Sequence, residues 1–550
     1  MSLTFSGKRS FPVQDGVGLG ITGGTVSDHD KLQLTAPFRS TRESPTLSPP
    51  AADDETVAVI DIGSNTCRLV VARLWPDWGF AIVEETEASV RLAPTRPEKP
   101  IGRKALERAH RAFSEFRSIA DSYNPGKRIY VATAAVRQAP NRERVVRLFQ
   151  DWLGGEIRVI SAIEEAEYAV VATINSLPAL SGTVVDLGGG SVQVATYLGP
   201  AMTSSYSFPL GALLMRQRFL SSDPPKAREL KQLRSNVREV LDEGRLQLPQ
   251  PVIFIGGTVR ALARLQQRLS GYRLGWPHGY TFTAFQLSKL TDSLCTSSTS
   301  EIARLPGVGT ERADILAAGA VVLDEFCRSL GVKRLTVSGE GIRHGLLYRE
   351  LERRGRSPGA ARDRTIRTLR ASHKEPPYID AARAICQQIT AAIPNLDPEV
   401  TALLPVAVEL HRIGDTINVH KSDRSGQSIV ASSELPGFSQ REALLLALTL
   451  GSQESFRASK SDFGQPLQPA DRAVVARLSA LLRLTVVLAR PLSGQVFFFH
   501  DGEVLRVTTP VVPFEADGLA MRMQDAFGFE TEFVSAGGDQ ENGAERSKIV

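Results

Sequence analysis

Two stretches of this chain repeat one pattern. "AVIDIGSNTCRLVV" (58–71) and "VVDLGGGSVQV" (184–194) each run as a β-branched strand, an aspartate, a glycine-rich turn and a second strand, with Asp61 and Asp186 at matching points. A strand pair joined by a short turn reads as a β-hairpin. Finding the same hairpin at the head of two long α/β stretches predicts a duplicated fold with a cleft between its copies. Each copy continues in the same style. After the first hairpin come a strand near 80–87, helix-period segments at 103–122 and 141–153, and strands at 128–136 and 156–160. After the second come helices near 211–220 and 225–245, then "PVIFIGGTVRALARL", a helix in "ERADILAAGAVVLDEFCRSLG", and "RLTVSGEGIRHGLLYRELE". The first and last of these three read as strand, glycine turn, helix.

A chain of 550 residues is too long for one core, and the texture changes accordingly. Residues 1–54, rich in Ser, Thr, Gly and Pro, are expected to be a disordered tail without the apolar segment of a secretory signal. The two halves are placed at 55–183 and 184–350, and a basic linker at 351–377. A helical domain follows at 378–492, a small α+β domain at 493–535, and a second disordered tail at 536–550. Cys67, Cys295, Cys327 and Cys386 have no metal-type spacing, so a reducing, cytoplasmic setting is expected. Apolar runs such as 315–323 and 402–408 are too short to span a bilayer.

The turns carry the chemistry. Glycines let successive backbone N–H groups converge on one anion, phosphate above all. A carboxylate at the strand end is repelled by that phosphate unless a cation such as Mg²⁺ lies between them. "IGGT" (255–258) and "SGEG" (338–341) add two further small-residue turns before helices, whose N-termini favour anions. Four such turns around one cleft predict a phosphate site. Net charge is only +5, but residues 351–375 hold eight Lys or Arg against three Asp or Glu, which reads either as a solvated linker helix or as a polyanion track. No aromatic platform is interleaved with these cations, so nucleic acid is not an expected partner.

The motifs "VAVIDIGSNTCRLVVA", "TAAVRQA", "ISAIEEA", "VVDLGGGS", "IGGTVRALA" and "VSGEGIRHGLLY" resemble, in order, the exopolyphosphatase and guanosine pentaphosphate phosphohydrolase family within the actin-like superfamily. "ELHRIG" and "ELPGF" are similar to the HD-like helical domain of its longer members. The resemblance implies two actin-like (ribonuclease H-like) halves around a cleft, followed by an all-helical HD-like domain and a small α+β domain. It further implies hydrolysis of the terminal phosphoanhydride of inorganic polyphosphate. The alternatives are guanosine pentaphosphate as substrate, or a sensor that binds and does not turn over. Mg²⁺ is the implied cofactor, with Mn²⁺ as the alternative, and a homodimer is expected.

Within "SAIEEAEYA", Ser161 and Glu164 form a capping box, while Glu165 points about 100° away around the helix and is spared that duty. Glu165 matches the family's catalytic glutamate, Asp186 its metal-linked aspartate and Arg137 its phosphate-contacting arginine. Asp61 either reaches the metal or caps its own turn. Gly63, Ser64 and Asn65, together with Gly188, Gly189, Gly190 and Ser191, are the expected phosphate donors, joined by Gly257, Thr258 and Arg343. Arg353, Arg354, Arg356, Arg364, Arg367 and Arg370 would line the track. Gln193, also expected at the phosphate, departs from the pattern: many relatives carry a glutamate there, and an amide can position phosphate or water but cannot take a proton. His411 and Asp415, one helical turn apart, read as a structural pair.

Overall fold

The computed structural model describes residues 55–75, 79–94, 99–242, 246–272, 274–371, 373–452, 469–491 and 495–536. Of the two tails expected to be disordered, only Ala536 falls among them.

The first copy runs β1 (Glu55–Ile62), β2 (Cys67–Trp75), β3 (Gly79–Ala88), α1 (Arg103–Ser122), β4 (Lys127–Ala132), α2 (Ala134–Arg137), α3 (Arg142–Leu153), β5 (Ile157–Val159) and α4 (Ala162–Ile174). Its sheet has the order β3-β2-β1-β4-β5, with β1 to β3 antiparallel and β4 and β5 parallel to β1. The strand expected over 128–136 stops at Ala132. Thr133 leaves the sheet, and "AAVR" coils into the single turn α2.

The second copy runs β6 (Ser181–Leu187), β7 (Val192–Leu198), β8 (Ala201–Phe208), α5 (Ala212–Phe219), α6 (Ala227–Asp242), β9 (Val252–Ile255), α7 (Gly257–Leu269), β10 (Thr281–Thr283), α8 (Ala284–Thr296), α9 (Thr299–Ile302), α10 (Ala313–Ser329), β11 (Arg334–Val337) and α11 (Ile342–Arg353). The sheet order β10-β11-β9-β6-β7-β8 repeats the first arrangement and adds β10 at the edge. The polar edge strand β8, "AMTSSYSF", was not expected, because its alternation carries little apolar signal.

Neither copy closes on itself. Helix α4 follows the first sheet, yet Ala166, Ala169 and Val170 pack on Val184, Ala195, Ile253 and Ile255 of the second. Conversely, Leu346, Leu347 and Leu351 of α11 pack on Val57, Val59, Val70 and Val131 of the first. The two helices cross at Gly345, where a Cβ would lie 2.1 Å from the carbonyl oxygen of Tyr168. Each sheet is thus covered by a helix that starts at the cleft and belongs, in sequence, to the other copy.

The remaining elements are α12 (Ala361–Arg370), α13 (Ile379–Ala392), α14 (Pro398–Leu410), two 3₁₀ turns (Ile413–Thr416 and Val419–Lys421), α15 (Ser422–Ser432), α16 (Gln440–Gly451), α17 (Pro469–Ala489), β12 (Phe497–His500), β13 (Val504–Thr509), α18 (Ala516–Phe527) and β14 (Glu530–Ser535). The terminal sheet β12-β13-β14 shares the helices' core. Leu505, Val507, Leu519 and Met523 are buried in one cluster with Ile389, Leu404 and Leu481. Trp276 of the second copy enters the same cluster, and its Nε1 donates to the Ala431 carbonyl at 3.2 Å. Among the described residues, no helix is long and apolar enough to cross a membrane.

Candidate active site

The two hairpin turns face each other across the cleft. A Cβ on Gly190 would lie 2.7 Å from Ser64 Oγ, and one on Gly189 would lie 3.0 Å from the backbone nitrogen of Asn65. Only glycine lets the jaws approach this closely. The third turn is as tight: Gly256 has φ +116°, and a Cβ there would meet the Leu187 carbonyl oxygen at 2.3 Å. Asp61, Gly63, Ser64, Asn65, Glu165, Asp186, Gly188, Gly189, Gly190, Ser191, Gly257, Thr258 and Arg343 all line one cavity of about 120 Å³.

One wall is acidic. The Ser161–Glu164 capping box forms, with Ser161 N donating to Glu164 at 2.8 Å and Glu164 N donating to Ser161 Oγ at 3.1 Å. That engagement leaves Glu165, one residue on, facing the cavity. Burial raises the Glu165 pKa to about 7; Asp186 and Asp61 also raise it, against Arg137, which lowers it. Asp186 is raised to about 6, first by burial and then by Asp61, against Arg260. Asp61 is raised by burial, against Arg343 and Arg68. All three carboxylates line the same cavity.

Beside it the wall is basic, and the sequence pointed only to Arg343 there. Arg68 stands opposite Asp61 in the β1–β2 register, Arg260 is in the first turn of α7, and Arg312 caps α10. All three line the cavity. Burial, with Arg68, Arg343 and Arg312 as neighbours, pushes Arg260 down to about 9, a sign of like charges held together without enough counter-charge. A second cavity of about 450 Å³ shares Arg68, Gly257, Arg260, Arg312 and Arg343 with the first and continues past Arg264 to Glu434. "IGGTVRALA" did contain a signal, a cation in the first turn of a helix behind a glycine turn.

Two expected site residues stand behind the cavity instead of in its wall. Arg137 Nη1 donates to Glu165 Oε2 at 3.1 Å and to the Ile160 carbonyl at 2.8 Å, so its guanidinium holds the glutamate. Gln193 is buried opposite Asp186 in the β6–β7 register, and its Nε2 donates to Ser191 Oγ at 2.8 Å. It braces the turn.

The expected arginine track is largely committed elsewhere. Arg353 and Arg354 both bind Glu350, and Arg370 binds Glu409 and Glu375. Arg364 is buried, donating to the carbonyls of Pro358, Gly359 and Asn175 and to the Tyr348 hydroxyl. Arg356 is partly buried, and Arg367 is exposed. None of the six lines either cavity of the cleft. His411 contacts Tyr378 and the Val408 carbonyl, and Asp415 pairs with Arg412.

Fold and site together define an actin-like protein, two matching α/β sheets closed on a cleft with one acidic and one basic wall. The chain belongs to the Ppx/GppA phosphatase family, whose profile matches residues 70–354 and whose domain III profile matches residues 376–498. An uncharacterized protein of Streptomyces coelicolor is 32% identical over 312 residues, 54% of this chain and 90% of that one. Exopolyphosphatase 2 of Mycobacterium tuberculosis is 28% identical over 310 residues, 53% of this chain and 97% of that one. The crystal structure of an exopolyphosphatase from Cytophaga hutchinsonii shares the fold at 23% identity, with a TM-score of 0.51 over 56% of this chain and all of that one.

Proposed function

We propose that the chain is an exopolyphosphatase that hydrolyses the terminal phosphoanhydride of inorganic polyphosphate. The observation that carries the reading is the position of Glu165, a mostly buried carboxylate with a pKa near neutrality that lines one cavity together with four arginines. A general base works best when its pKa lies near the working pH.

In this reading the terminal phosphate sits between the hairpin turns, its oxygens held by their N–H groups and by Arg68, Arg260, Arg312 and Arg343. Glu165, oriented by Arg137, takes a proton from water as the water's oxygen bonds to phosphorus in line with the breaking bridge bond. The shortened chain leaves as an anion into the arginine-lined second cavity. The donor set fits Mg²⁺. Asp61 and Asp186 are two partly buried carboxylates lining the same cavity. Mg²⁺ is held by one or two carboxylates plus substrate oxygens and water, and Mn²⁺ takes similar oxygen ligands. Bound there, such an ion would neutralise charge on the phosphates; alternatively Asp61 only shapes its own turn.

The second cavity favours a phosphate chain, because Arg68, Arg260, Arg264, Arg312 and Arg343 all line it. The test is orthophosphate release from long-chain polyphosphate and from guanosine pentaphosphate at equal concentration. Faster release from polyphosphate is expected. Negligible release from it beside rapid release from guanosine pentaphosphate would assign the site to the nucleotide, and binding without release from either would make the protein a sensor.

A further inference from the structure

The basic wall is not free to meet an anion. Strand β3 presents Glu85, Thr86 and Glu87 along the second cavity, and Glu87 lies directly opposite Arg68 in the β2–β3 register. Glu87 accepts from Arg68 Nε at 2.8 Å and from Arg312 Nη2 at 3.1 Å, while Glu85 accepts from Arg343 Nη1 at 2.5 Å. Three of the four arginines that face the hairpin turns are therefore held by carboxylates. Burial alone would raise both glutamates, but Arg343 beside Glu85, and Arg68 and Arg312 beside Glu87, outweigh it and hold them below the usual range.

Exposure within these pairs is lopsided. The arginine side chains keep 14%, 16% and 6% of their surface exposed (Arg68, Arg312 and Arg343), whereas Glu87 keeps 40% and Glu85 48%. A displaced glutamate can turn to water from where it stands. The arginines cannot follow, so an incoming anion would find them already in place.

We propose that Glu85 and Glu87 are internal stand-ins for phosphate, which occupy the substrate arginines and exclude weakly bound single anions until a chain carrying several phosphates displaces both. This inference rests on the reading of the cleft as a polyphosphate site. Orthophosphate makes contacts to one or two arginines and gains little by displacing a carboxylate of similar charge. A polyphosphate chain makes several such contacts through a single binding event, and the later ones come at high effective concentration. The glutamates thereby limit occupation of the channel by the product.

The experiment compares wild type with E85Q, E87Q and the double variant. E84Q is the control, since Glu84 instead accepts from the Tyr123 hydroxyl at 3.1 Å. Orthophosphate affinity is measured by calorimetry, and KM by initial rates on long-chain polyphosphate. Release of a partly exposed ion pair should tighten orthophosphate binding and lower KM roughly three- to tenfold in the double variant. E84Q should match wild type. Unchanged or weaker binding of both anions in the double variant would overturn the inference and make the glutamates mere supports for the arginines. If wild type releases nothing from polyphosphate, the proposed function fails, while the orthophosphate titration still decides the role of the glutamates.

Discussion

Replacing Arg137 with Met should move the acidic limb of the pH–rate profile to higher pH. The guanidinium lies 3.1 Å from Glu165 Oε2, and both side chains are mostly buried, 19% and 13% exposed. With charge centres about 4 Å apart and an effective dielectric near 20, the attraction is about 4 kcal/mol. Water entering the space left by the guanidinium would recover part of it, leaving a rise of roughly 1–2 pKa units. Glu165 would then titrate well above the value of about 7 that it has with Arg137 in place. At pH 7.5 the ionised fraction would fall from about three quarters to below about a quarter, and activity would recover on raising the pH. Arg137→Lys keeps the charge and should leave the limb near that of wild type, with a lower plateau from weaker orientation. The assay is kcat/KM for polyphosphate from pH 5.5 to 9.5 at one fixed Mg²⁺ concentration. A limb in the Met variant at or below the wild-type position would refute an ion-pair role for Arg137.

Glu165→Gln should reduce turnover by about 10²–10⁴-fold while calorimetry still detects polyphosphate binding; a loss below tenfold would remove Glu165 as the base. Glu340 is buried, and burial raises its carboxyl to about 8 against Arg364. The folded state therefore keeps a proton that the unfolded state loses above about pH 4.5, and stability falls as pH rises from there to about 8. Glu340→Gln should flatten that slope by a few kcal/mol, read as Tm at pH 5 and pH 9, and an unchanged slope would count against it. Gln193→Glu puts a carboxylate opposite Asp186 at a buried position, so stability without divalent cation should drop by about 1–3 kcal/mol, read as a lower Tm, with a larger recovery on adding Mg²⁺ than wild type shows. Arg364→Met strands three carbonyls and should destabilise by about 3 kcal/mol or more, whereas exposed Arg367→Ala should leave Tm and KM alone. A raised KM in both variants at unchanged Tm would restore the arginine track.

What the sequence displayed was local chemistry, and what it hid was partnership. The glycine turns and the Ser161–Glu164 box were readable because their partners lie within a few residues, and the box alone singled out Glu165 as the free acid of its pair. The "RIYVATAAV" run misled because an apolar stretch fits a strand and a short helix equally; the break at Thr133 follows from the cleft it borders. The packing of α11 on the first sheet depends on contacts more than two hundred residues apart, and the crossing at Gly345 looks in sequence like any other helical glycine.

Charge was the least legible property. Counting arginines over 351–375 suggested a track, but Glu350, Glu375 and Glu409 claim several of them, and all three acids lie at or beyond the ends of the stretch. The basic wall that does face the cleft draws one arginine each from β2, α7, the start of α10 and α11. Alone, each reads as an ordinary surface cation. Gln193 shows the same limit from the other side. Its departure from the family's glutamate is visible as a letter, but a loss of catalytic charge would require it to face the substrate. Buried behind Ser191, it instead keeps a charge out of the protein beside Asp186, whose carboxyl burial and Asp61 already raise to about 6. On that account the amide acts on the turn through Ser191 and carries no charge to the cavity.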